Sequence, residues 1–183
     1  MRNLDRWNKV IRPKIVKQFT PRIQRDLKLL KTPKTIPKDF NSVFIWSKTS
    51  HTGKTILSIF YLLQEQKDLY LTAKNETCVF ITMESLLTKI KESYFKGGLS
   101  DDNFLDYYLS AHLLIIDDIG VEKPSEWVYS IIYNLINTRI EYLRKTIITS
   151  NQDLDGLSNF FGDNRITSRI DREYEILNKK KFK

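Results

Sequence analysis

Apolar residues along the chain fall into short runs rich in β-branched and aromatic side chains, separated by longer stretches in which apolar positions recur every three or four residues. The short runs are SVFIW at 42–46, CVFIT at 78–82, HLLIIDD at 112–118, TIITS at 146–150 and EYEIL at 173–177. The amphipathic stretches run from Lys54 to about Gln66, over Glu84–Phe95, briefly after the polar turn around Gly97–Asp102, over Ser125–Arg144 and over Asp153–Phe161. Strands that read as unbroken apolar runs are covered on both faces. Their alternation with helices predicts an α/β three-layer sandwich around a central, mostly parallel five-stranded sheet.

The first 38 residues are patterned differently. Trp7, Val10 and Ile11, then Ile15, Val16 and Phe19, form helix-like patches interrupted by Pro13 and Pro21, which predicts short helices. KTPKTIPKDF carries Pro33 and Pro37 and no periodic apolar signal, so it reads as an extended connection. The organisation expected is a basic N-terminal extension (1–38), one core (39–178) and a lysine-rich tail (179–183), without internal repeats.

Length and charge sharpen this picture. At 183 residues and 41% hydrophobic, the chain suffices for one well-buried core. Of the net charge of +8, residues 1–38 contribute +10 and residues 179–183 contribute +4, leaving −6 on the core. A basic leader on a mildly acidic body points to nucleic acid or an acidic protein surface; a solvated tail is the alternative. No apolar run approaches the roughly 20 residues that span a bilayer, and the N-terminus has no signal-like apolar block, so a cytoplasmic protein without membrane contact is expected. The lone Cys78 has no partner for an intramolecular disulfide or a zinc site and reads as a buried strand residue.

Two motifs carry chemistry. Between the first strand and its helix, Gly53-Lys54-Thr55 matches the end of GxxxxGK[ST]. In such a loop, backbone N–H groups at a helix N-terminus surround a phosphate, the lysine neutralises charge and the hydroxyl holds magnesium. The binding loop would comprise Lys48, Thr49, Ser50, His51, Thr52, Gly53, Lys54 and Thr55. It departs from the pattern in having Lys48 where the first glycine stands and His51 where related loops often have glycine. Lys48 is expected either to strain the backbone by about 1–2 kcal/mol or to add a phosphate ligand. In the second motif, LLIIDDIG puts Asp117 and Asp118 at the C-terminal end of an apolar strand, where ligands bind in open α/β sheets. Asp117 would hold magnesium through water, and Asp118 would orient or activate an attacking water.

From His112 onward, LLIIDDIGVEKPSEWVYSIIYNLINTRI, KTIITSN and GDNRITSRI resemble the DnaC/IstB family of AAA+ P-loop ATPases, which are helicase loaders and transposition ATPases. ITMESLLTKIKESYF is similar to the family's second strand and following helix, so the likeness covers about residues 40–178. The resemblance implies ATP and Mg²⁺ as ligands, and Asn151 as the polar sensor of the γ-phosphate or lytic water. It also implies Arg169, with Arg165 as second choice, as an arginine finger given in trans to a neighbouring subunit, and hence self-association. The family's usual N-terminal region is larger, and a C-terminal lid is not expected here.

In related loaders and initiators the helix after the second strand touches single-stranded DNA. Lys89, Lys91, Tyr94 and Lys96 would do so here, cations tracking phosphates beside a stacking ring. The competing reading is an amphipathic helix that buries Leu87, Ile90 and Tyr94 and leaves its lysines solvated. The function expected is an ATP-hydrolysing helicase loader acting with single-stranded DNA and a replicative helicase, in a form reduced enough to suit a mobile element. The alternatives are an IstB-like transposition ATPase and a non-hydrolysing adaptor with a degenerate P-loop. A small-molecule P-loop kinase shares GKT but not the T-S-N strand end. If residues 1–38 form the partner-binding segment, their deletion is expected to spare nucleotide affinity.

Overall fold

The computed structural model describes residues 3–29, 40–97, 102–121 and 125–178, without the side chains of 94–97 and 102–104. The proline-containing connection and the lysine tail therefore lie outside the described residues. The core runs β1 (Val43–Trp46), α4 (Lys54–Leu71), β2 (Cys78–Thr82), α5 (Met83–Gly97), α6 (Asp102–Ser110) and β3 (Leu113–Ile119). It continues with α7 (Glu126–Glu141), β4 (Lys145–Ser150), α8 (Leu154–Phe161), α9 (Arg165–Glu173) and β5 (Glu175–Asn178). Before it come α1 (Leu4–Arg6), a π-helical turn (Trp7–Ile11), α2 (Arg12–Val16) and α3 (Pro21–Leu29).

The sheet has the order β2-β3-β4-β1-β5, and every pairing is parallel. The expected α/β architecture is thus present, with the sheet fully parallel. Alternate side chains on each strand leave on opposite faces, which sorts the apolar runs into two cores. Val43, Ile45, Leu113, Ile115 and Ile147 pack with Ile56, Ile59, Phe60 and Leu63 of α4. Phe44, Leu114, Ile116 and Ile148 pack with residues of α5, α7, α8 and α9, among them Leu86, Ile132, Leu157 and Ile170.

The N-terminal helices complete the first of these cores. Ile15, Val16, Phe19, Ile23 and Leu27 join it, and Trp7, only 2% exposed, stacks at 5.7 Å from Tyr70. Helix α4 is therefore covered on two sides, which explains why it buries residues nearly all round rather than along one stripe. The π-helical turn precedes Pro13. Proline lacks an N–H and crowds the carbonyl four residues back, and the wider turn, with Arg12 N–H donating to the Trp7 carbonyl, accommodates it. Cys78 is half-buried rather than buried, and burial still pushes its thiol up to about 12.

Candidate functional site

The loop leaving β1 turns into α4 through Gly53, whose φ of 84° lies in the left-handed region that glycine adopts at little cost. His51 also takes a left-handed backbone, at φ 59°, a conformation that glycine adopts at less cost. Lys48 does not; its ammonium lies 3.3 Å from Asp153, the residue whose side chain caps α8. The strain expected at Lys48 therefore falls on His51, and Lys48 pairs with a carboxylate. The hydroxyl of Thr52, 2% exposed, has no hydrogen-bond partner among the described residues.

Two adjacent strand residues ordinarily face opposite sides, which would separate Asp117 from Asp118. A register shift prevents this: Ile116 pairs with Ile148 but Ile119 with Ser150, so β3 carries one extra residue there, and Asp118 adopts a left-handed φ of 65°. Both carboxylates consequently line one cleft. The Thr55 hydroxyl donates to Asp117 at 2.9 Å, and Thr149 donates to the same carboxylate at 2.7 Å. Thr149 also accepts from the Asp118 N–H at 2.9 Å, so one hydroxyl fixes both acids.

Across the cleft Lys54 Nζ donates to Asn151 Oδ1 at 2.8 Å, and Asn151 Nδ2 donates to Asp118 at 2.7 Å. Burial lowers the Lys54 pKa, opposed by the charges of Asp118 and Asp117. Burial raises that of Asp117, opposed by the hydrogen bonds from Thr149 and Thr55. A desolvated cation and a desolvated carboxylate thus share a cleft of about 670 Å³, within the range of small-ligand sites.

The donor set suits magnesium, which takes one or two protein oxygens and leaves its other positions to phosphate and water. Thr55 and Asp117 converge as such a pair, and no group of three or more acidic, His or Cys side chains fit for a metal occurs among the described residues. The unpartnered Thr52 hydroxyl, the left-handed turn at Gly53 and the Lys54 ammonium suit a phosphate.

Of the loop singled out in the sequence, Ser50, His51, Thr52, Gly53, Lys54 and Thr55 line the cleft with Asp117, Asp118 and Asn151; Lys48 and Thr49 do not. Thr20, just before α3, and Arg22, Ile23 and Asp26 of α3 form a further wall. These four, Ile56 and Thr149 are the lining residues that sequence reasoning missed. Part of the segment 1–38, whose deletion was expected to spare nucleotide affinity, thus lines the cleft. Arg165 and Arg169 stand on α9, outside the cleft. Arg165 pairs with Asp163 at 2.7 Å, and Arg169 donates to the Tyr133 hydroxyl at 3.2 Å. On α5, Leu87 and Ile90 are buried and Lys89 and Lys91 exposed. The side chains of Tyr94 and Lys96 lie outside those described.

Comparison with known proteins places this geometry. The model of the IstB-like ATP-binding proteins matches residues 17–175. The replicative helicase loader DnaC of Buchnera aphidicola subsp. Schizaphis graminum is 28% identical over 147 residues, 78% of this chain and 57% of that protein. A crystal structure of the DnaC helicase loader superposes with a TM-score of 0.64 at 24% identity, over 90% of this chain and 96% of that one. A replication initiator DnaA bound to AMPPCP and single-stranded DNA gives 0.64 at 19% identity, over 86% of this chain and 44% of that one. The fold is accordingly that of the AAA+ P-loop domains. No described helix is long and apolar enough to cross a membrane.

Proposed function

The chain belongs to the family of IstB-like ATP-binding proteins, and from that membership we propose that it is an ATPase that loads a replicative helicase onto single-stranded DNA. The observation that carries the reading is the chain of contacts Lys54–Asn151–Asp118 beside Thr55–Asp117–Thr149. It brings the elements of a hydrolytic nucleotide site together from three strand ends. Lys54, with the N–H groups of the loop, binds the triphosphate; Thr55 and Asp117 hold magnesium, which when bound screens the phosphate oxygens. Asp118 orients the attacking water, and Asn151, tied to both Asp118 and Lys54, registers the γ-phosphate.

The DnaC helicase loaders among its relatives support loading over transposition. The backbone at Lys48 is not left-handed, which weighs against the non-hydrolysing adaptor. In this reading Arg169 leaves Tyr133 to reach the nucleotide of a neighbouring subunit, and Lys89 and Lys91 meet the phosphates of the strand in the cytoplasm of a bacterial host. The test is the anisotropy of a labelled single-stranded oligonucleotide titrated with protein in ATP and in ADP. Binding roughly tenfold tighter in ATP is expected for the parent and little gain for Arg169→Ala. Equal affinity in both nucleotides would sink the proposal.

A further inference from the structure

The cleft wall contributed by α3 contains a cation that the proposed reaction has not used. Arg22 is exposed and lines the cleft. Its guanidinium lies 3.0 Å from Nδ1 of His51, the left-handed residue of the phosphate loop. Its neighbour Arg25 is paired with Asp26 at 3.2 Å, but among the described residues Arg22 has no carboxylate within ion-pair distance.

Guanidinium has five N–H donors and no acceptor, and its strong partners are carboxylates and phosphates. A neutral imidazole nitrogen occupies a single donor. The place of Arg22 is set by packing: Ile23 and Leu27 of the same helix are anchored in the core that holds α4. An arginine so fixed, holding a phosphate-loop residue and lining the same cleft as Lys54, is a preformed anion ligand.

Resting on the nucleotide reading of the cleft, we propose that Arg22, positioned by His51, is a second cationic ligand of the triphosphate. It is supplied in cis by the segment that precedes the core. Lys54 and magnesium do not neutralise the full charge of a nucleoside triphosphate, and Arg22 adds a charge-assisted donor from the α3 wall of the same cleft. The left-handed backbone at His51 then has a purpose: it holds the imidazole where Arg22 can reach it.

The test is calorimetric titration of the full chain with ATP, ADP and adenosine in magnesium, for the parent, Arg22→Ala, Arg22→Lys and His51→Gly. Arg22→Ala is expected to weaken ATP and ADP by roughly tenfold and leave adenosine unchanged. Arg22→Lys should recover part of the loss. The melting temperature of the nucleotide-free protein should stay put, because the side chain is exposed. His51→Gly relaxes the loop yet should still lower ATP affinity. ATP binding by Arg22→Ala within twofold of the parent, or an equal loss for adenosine, overturns the proposal while the nucleotide reading stands. A rise in affinity for His51→Gly overturns the positioning by His51. A parent that binds no ATP overturns both readings.

Discussion

Asp117, the proposed magnesium ligand, stands where an ionised carboxylate is costly. Its carboxylate is buried at the foot of the cleft, and burial raises its pKa despite hydrogen bonds from Thr149 and Thr55. A carboxyl whose folded pKa lies above its unfolded value stabilises the fold below the unfolded value of 3.8 and loses that contribution as pH rises through the folded one. At neutral pH the ionised group is a liability. Asp117→Asn keeps an oxygen for Thr149 and should raise the melting temperature of the nucleotide-free protein by about 2–4 °C at pH 7. The advantage should shrink as pH falls toward 3.8, while magnesium-dependent nucleotide binding is lost. A melting temperature below the parent's at pH 7 would contradict this. At this scale Lys54, Thr55, Asp117 and Asp118 could be singled out because each stands in a motif whose spacing is local, and Asn151 through the family resemblance; the structure brings the five to one cleft. Sequence reasoning did not single out Thr149 or Arg22, because their places depend on a bulge in β3 and on an approach across 29 residues of chain.

Among the elements, strands and long helices were legible because unbroken apolar runs and periodic stripes report burial directly. α9 was legible only as a place where two arginines share a face: Ile166 and Ile170 are its only aliphatic positions, and a helix with so narrow an anchor gives little signal. Another interior device was hidden altogether. Arg139 of α7 is 0% exposed, and its guanidinium donates to the carbonyls of Tyr108, Leu109, Ala111 and Lys145 and to the Thr146 hydroxyl. It ties the end of α6 to the α7–β4 turn, and burial brings its pKa down to about 10. Arg139→Ala leaves buried carbonyls without donors and should cost about 3 kcal/mol or more in denaturant-induced unfolding. A loss below about 1 kcal/mol would show that water replaces the guanidinium.

Across the whole molecule, the division between a basic leader and a core is crossed by packing. Charge and prolines mark residues 1–38 off in the sequence, yet Trp7 and Leu27 are buried and α3 lines the nucleotide cleft. Composition reports charge, whereas this docking rests on a few apolar residues spaced between prolines. Removal of residues 1–29 should therefore lower the melting temperature by about 5 °C or more and weaken ATP binding as well as any partner contact. An unchanged melt and unchanged ATP affinity would restore the view of a separate extension. The proposal that nucleotide turnover happens in this cleft is tested most directly by phosphate release from ATP, with magnesium and single-stranded DNA, in the parent, Lys54→Ala and Asp118→Asn. Turnover by the parent and a fall of 100-fold or so in both variants is the expected result. Turnover that survives both substitutions, or a parent that binds ATP and releases no phosphate, would contradict it.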